Sequence, residues 1–170
     1  MRYFVILFLY LILICSCKNA DNTKPKSLTL TMKMHTMIAR PCINYTLDIE
    51  PNGKIVFVKD CYYLEGNRKY ESQLSDLQLK EITEEIEKTD FFSFANTYNS
   101  ESRNCSQYST DSPIVTLTVN FNGKQKTVEH NWGCWVNNWF GKENALQPLT
   151  DLENKIDEIV ETKRWIGEGK

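Results

Sequence analysis

Two short runs of the chain repeat each other at a fixed distance, and each has the pattern of a β-hairpin. Thr46-Leu47-Asp48-Ile49 followed by Asn52-Gly53-Lys54 returns as Thr116-Leu117-Thr118-Val119 followed by Asn122-Gly123-Lys124, with both parts displaced by 70 residues. Asn-Gly is the favoured two-residue hairpin loop, because both of its residues must take positive φ and these two residue types tolerate that best. A two-residue loop at each site sets Leu47 opposite Val58 and Leu117 opposite Val128, so that apolar side chains meet in both copies. A helix is expected after each hairpin. In the first, Ser75 and Gln78 form a capping box, Leu74 and Leu79 a hydrophobic staple, and Leu79, Ile82 and Ile86 the buried stripe. The second begins between Pro148 and Asp151 and buries Leu152, Ile156 and Ile159. The shared order predicts a duplication, with units over residues 40–92 and 110–166.

Ahead of the first hairpin, Leu28, Leu30, Met32 and Met34 alternate with Thr29, Thr31, Lys33 and His35, the period of a half-buried strand. The expected fold is therefore α+β: an antiparallel sheet from two repeated hairpin-plus-helix units, helices on one face, in a single domain over residues 28–170. Lys+Arg number 20 against 22 Asp+Glu, a balance that excludes electrostatically driven nucleic-acid binding. A hydrophobic fraction of 41% excludes a disordered chain.

The N-terminus reads as a targeting segment. Arg2 precedes an uncharged apolar run from Tyr3 to Ile14, too short for a membrane span and right for the core of a signal peptide over residues 1–16. Ile14-Cys15-Ser16-Cys17 resembles the bacterial lipobox, in which a small residue precedes the cysteine that is acylated; Ser16 makes Cys17 the expected palmitate-bearing N-terminus. Residues 17–27 are polar and lack periodicity, as a tether would. The membrane is thus an expected partner through the N-terminal lipid, because each buried CH₂ contributes about 0.8 kcal/mol. By the sorting rules of such lipoproteins, Lys18 implies the outer membrane.

Cys42, Cys61, Cys105 and Cys134 remain, and an even number in an exported chain implies disulfides. Three connectivities are open. Position favours one bond within each unit, Cys42 with Cys61 and Cys105 with Cys134, although strict pairing sets Cys61 opposite Asn44 and leaves Cys42 a diagonal step away. No metal site is expected, since the cysteines and histidines have no zinc-ligand spacing.

Met32, Met34 and Met37 beside His35 have the softness for Cu(I), but strand alternation divides them between two faces and makes Met32 and Met34 core residues. His130 alternates with Val128 and Trp132 and so points inward, as a hydrogen-bonded strand histidine rather than a general base. No catalytic residue and no cofactor is expected. Three of the four tryptophans fall within Trp132–Trp139. Aromatics beside amides suit stacking on sugar rings or anchoring a protein, and equally suit packing around a disulfide. Trp135, Trp139 and Phe140 are the candidate binding residues, with Trp132 assigned to the buried side.

Pro41-Cys42-Ile43-Asn44-Tyr45, Asn52-Gly53-Lys54, Thr89-Asp90-Phe91-Phe92, Thr110-Asp111-Ser112-Pro113, Gly133-Cys134 and Leu152…Ile156-Asp157…Trp165 together resemble a bacterial envelope-lipoprotein family, the domain of unknown function 6438. The resemblance covers about residues 40–166, and Ile43 departs from a proline common in the family. It implies a fold and an envelope location and no activity. The expected function is a noncatalytic, membrane-anchored module that binds a protein or glycan partner. A structural assembly factor is the alternative, and a secreted-type enzyme inhibitor or enzyme a more distant one.

Overall fold

The alternation along residues 28–35 builds the central strand of the molecule. The computed structural model describes residues 27–36, 43–61, 66–137 and 144–167. Strand β1 (Leu28–His35) buries Leu28, Leu30, Met32 and Met34 on one face and leaves Lys33 and His35 exposed on the other. It is paired on both sides, with β2 (Tyr45–Ile49) and with β7 (Ile114–Phe121), each antiparallel to it. Beyond β2 lie β3 (Lys54–Lys59) and β4 (Arg68–Gln73); beyond β7 lie β8 (Lys124–Asn131) and the short β5 (Thr97–Tyr98), giving the order β4-β3-β2-β1-β7-β8-β5. Only β5, parallel to β8, breaks the antiparallel pattern among the described strands of this sheet. A separate ribbon pairs β6 (Gln107–Tyr108) with β9 (Cys134–Trp135).

Two helices cover the inner face. Helix α1 (Asp76–Lys88) starts at the expected capping box, with Ser75 and Gln78 bonded reciprocally, and buries Ile82 and Ile86 while Leu79 packs at the core's margin. Helix α2 (Gln147–Val160) begins just before Pro148, one residue earlier than expected, and buries Leu149, Leu152, Ile156 and Ile159. The two helices are tied by Gln78 Nε2 donating to Ile159 O at 3.0 Å and by Lys155–Glu81 at 3.1 Å. A final turn, α3 (Lys163–Ile166), lays Trp165 against Phe57, ring centroids 4.9 Å apart, and Phe57 also stacks on Tyr45 at 5.0 Å. The molecule is α+β, with a large, mostly antiparallel sheet and helices on one face.

The second hairpin has the expected register. Leu117 faces Val128 across a two-residue loop in which Asn122 and Gly123 take φ of 52° and 77°. The first does not: Leu47 faces Phe57, and Val58 turns to the half-exposed side. The loop there has three residues, Pro51-Asn52-Gly53. Gly53 N–H donates to Glu50 O at 2.8 Å, Glu50 N–H donates to Lys54 O at 2.9 Å, and Gly53 takes φ of 80°. Pro51 suits the second position of a type I turn, and the extra left-handed residue makes the glycine bulge that goes with it. A Cβ at Gly53 would also lie 2.9 Å from Gln73 Nε2. The one-residue shift places Asp60, not Cys61, opposite Asn44, with Asp60 N–H donating to Asn44 O at 2.9 Å.

The duplication is not carried by the fold. β2 and β7 flank β1 and run the same way, yet β3 lies outside β2 on one side and β8 outside β7 on the other, with the same face buried throughout. A rotation about the strand direction that carried one hairpin onto the other would turn its buried face outward. A third strand, β4, also separates the first hairpin from α1, where the second hairpin is followed by the ribbon strand β9.

Candidate binding surface

Residues 105–109 and 133–135 build a small platform beside the end of the main sheet. Gln107 pairs with Trp135 and Tyr108 with Cys134. Two backbone bonds extend the pairing, Ser106 N–H to Trp135 O and Ser109 N–H to Gly133 O, each 2.8 Å. The disulfide Cys105–Cys134, with Cα atoms 5.4 Å apart, fastens the ribbon, and it is the bond expected within the second unit. Gly133 is required by close approach: a Cβ there would clash with Ser109 O and sit 2.7 Å from Ser112 Oγ. Asn131, itself buried, takes Gly133 N–H on Oδ1 at 2.8 Å and donates from Nδ2 to Tyr108 Oη at 2.9 Å. So a two-strand ribbon too short to be stable alone is held by a covalent bond and a buried amide.

The platform presents aromatic surface. Trp135 is 42% exposed and Tyr108 40%, and because neighbouring side chains alternate they leave opposite faces of the ribbon. Trp135 Nε1–H donates to Asn137 Oδ1 at 3.1 Å, which orients the indole while leaving its ring accessible.

Beneath lies a polar cluster that joins α2 to the sheet. His130 Nδ1 is 3.1 and 3.2 Å from the two oxygens of Glu153, and Trp132 Nε1–H donates to Glu153 Oε2 at 2.7 Å. One turn along α2, Asp157 accepts from Tyr45 Oη at 2.6 and 2.7 Å. Burial pushes the Glu153 carboxyl up, against the lowering effect of His130 and Trp132. Burial likewise raises Asp157 to about 6, opposed by its bond from Tyr45, and the Tyr45 hydroxyl is pushed up by burial and then by the Asp157 charge. His130 and Glu153 are both 1% exposed, so a dissolved substrate does not meet them. The pair braces helix to strand, and His130 points inward as its alternation predicts.

Trp135 stands on the exposed platform, and Trp132 is half-buried with its ring against the core. Trp139 and Phe140 lie outside the described residues, as do Cys17 and Cys42. Cys61 is buried and disulfide-bonded, its partner also outside them. Sequence reasoning missed Tyr108, for which nothing local gives a signal, and Glu153 with Asp157, for which a signal exists. Both carboxylates fall within the apolar stripe of Leu149, Leu152, Ile156 and Val160 at helical spacing, where a charge needs a buried partner.

No curated protein matches the chain. A family model described as a domain of unknown function matches residues 41–160, which include the hairpins, both main helices and the ribbon. The chain therefore belongs to the DUF6438 family.

Proposed function

We propose that this protein is a lipid-anchored, noncatalytic binding module of the cell envelope, with the disulfide-fastened ribbon as its contact surface for a protein or glycan. The observation that supports it most is Trp135, a large aromatic left 42% exposed on a segment stapled into place, in a chain whose Phe57 and Phe91 are fully buried. An exposed tryptophan on a rigid support contributes much contact area at little conformational cost, which is how hot spots in interfaces work. Neighbouring amides, Gln107 and Asn137, add the hydrogen-bonding capacity that a sugar or a peptide backbone requires. The anchor rests on the segment ending in Ser16-Cys17, and the Lys18 that follows favours the outer membrane.

The test is photo-crosslinking in intact envelopes from a reactive side chain placed at position 135, with palmitate labelling followed in parallel. The reading expects one defined protein or glycan adduct, and loss of the label in Cys17→Ala. Absence of any adduct from position 135 overturns the contact surface, and unchanged labelling of Cys17→Ala overturns the anchor.

A further inference from the structure

The second candidate surface lies at the edge of the main sheet and is independent of the ribbon. β8 pairs with β7 along its whole length, but on its other side β5 reaches only Glu129 and His130. In an antiparallel ladder the backbone groups of alternate residues point to alternate neighbours. Glu129 N–H donates outward, to Asn96 O at 2.9 Å, so the N–H and C=O groups of Gln125 and Thr127 point outward as well. Among the described residues they have no backbone partner. The strand edge over Lys124–Thr127 is the floor of a groove of about 510 Å³, walled by Phe92 and Asn96.

We propose that this groove binds an extended acidic peptide segment, which adds to the sheet as a strand alongside β8. Main-chain bonds to Gln125 and Thr127 supply affinity in such an addition, and side chains supply the choice of partner. Lys124 and Lys126 have the same parity as the buried Val128 and His130, so they sit on the Phe92 side of the strand. A carboxylate opposite Lys126 meets an opposite charge directly across the pair, on the side of the strand walled by Phe92. The adjoining hollow, of about 340 Å³, carries Glu87 and Asp90 together with Lys124, so acidic residues of the partner belong opposite Lys126 and not past Lys124. A second copy is a poor occupant, because two β8 edges pairing antiparallel bring Lys124 and Lys126 against their own counterparts, and like charges directly opposite destabilise a ladder. Edge lysines also guard against indiscriminate strand pairing. The guard and the receptor readings differ in whether an acidic strand is accepted.

The experiment measures fluorescence anisotropy of labelled peptides of alternating Glu and Val, or Lys and Val, titrated with the full chain. The expected result is at least tenfold tighter binding of the acidic peptide, weakened by salt. An acidic peptide N-methylated on alternate amides should lose at least tenfold, and this control leaves the protein untouched. Thr127→Pro removes one outward N–H at an edge position that tolerates proline, and should lose a similar factor with the melting temperature retained. Lys124→Glu with Lys126→Glu should reverse the preference. Equal affinity for the two peptides, no binding of either, or full binding of the N-methylated peptide overturns the proposal. So does a concentration-dependent dimer in sedimentation that Thr127→Pro abolishes, since the edge then serves a second copy.

Discussion

Trp132 and Glu153, 21 residues apart in sequence, meet at 2.7 Å where the end of the sheet touches α2, and the same carboxylate receives His130. A strand and a helix are thus joined through one buried carboxyl group. Removing it leaves the indole N–H of Trp132 and the ring nitrogen of His130 buried without their partner and opens a cavity between helix and strand. Glu153→Ala should lower stability by about 2 to 5 kcal/mol. Glu153→Gln keeps an acceptor for the indole and should cost less, about 1 to 3 kcal/mol. Urea denaturation of the two variants checks the order.

Asp157 gives the fold a pH dependence of unusual sign. Its folded-state pKa of about 6 stands above the ordinary 3.8, chiefly through burial, so the folded chain holds the proton more tightly than the unfolded one. The penalty for ionising it is fully present above about 6 and gone below 3.8. On this account stability rises as pH falls through that window, by up to about 3 kcal/mol. Asp157→Asn should flatten the rise, leaving the part contributed by Glu153, which is shifted in the same direction. Urea midpoints for both proteins across the window provide the comparison.

The tryptophans should separate by stability. Trp135→Ala, at an exposed ring, should change it by less than about 0.5 kcal/mol. Trp132→Ala removes a ring packed on the core and a donor to a buried carboxylate, and should cost about 3 kcal/mol or more. Thermal melts decide the matter: a large loss in Trp135→Ala would make that residue structural and leave the ribbon without its main anchor.

The Cys105–Cys134 bond closes a sequence separation of 29 residues. By loop-closure entropy, replacing both cysteines with serine should cost about 3 to 4 kcal/mol. Amide exchange should speed up at Ser106 and Ser109, whose N–H groups bond to the opposite strand of the ribbon, while β1 stays protected. Exchange measured by mass spectrometry on the paired variants tests this.

Local patterns determined a good deal of this molecule. The four apolar residues of β1, the capping box at Ser75, the stripe of α2 and the Asn122-Gly123 loop each depend on the spacing of a few neighbouring residues, and each is found as its spacing dictates. The inward direction of His130 follows from the same alternation. What bonds it does not, because Glu153 lies 23 residues away and only the packing of α2 on β8 brings it within reach. The first hairpin shows where local reading stops: the Asn-Gly signal was identical in both hairpins, and Pro51 together with the fit of Gly53 against Gln73 selected a different turn, moving every side chain of β3 to the other face. The apparent repeat ended the same way. Two similar runs take opposite places about the central strand, and nothing in their similarity says on which side of β1 each will pair. Tertiary structure alone decided that, by requiring both hairpins to bury the same face of one sheet beneath one pair of helices.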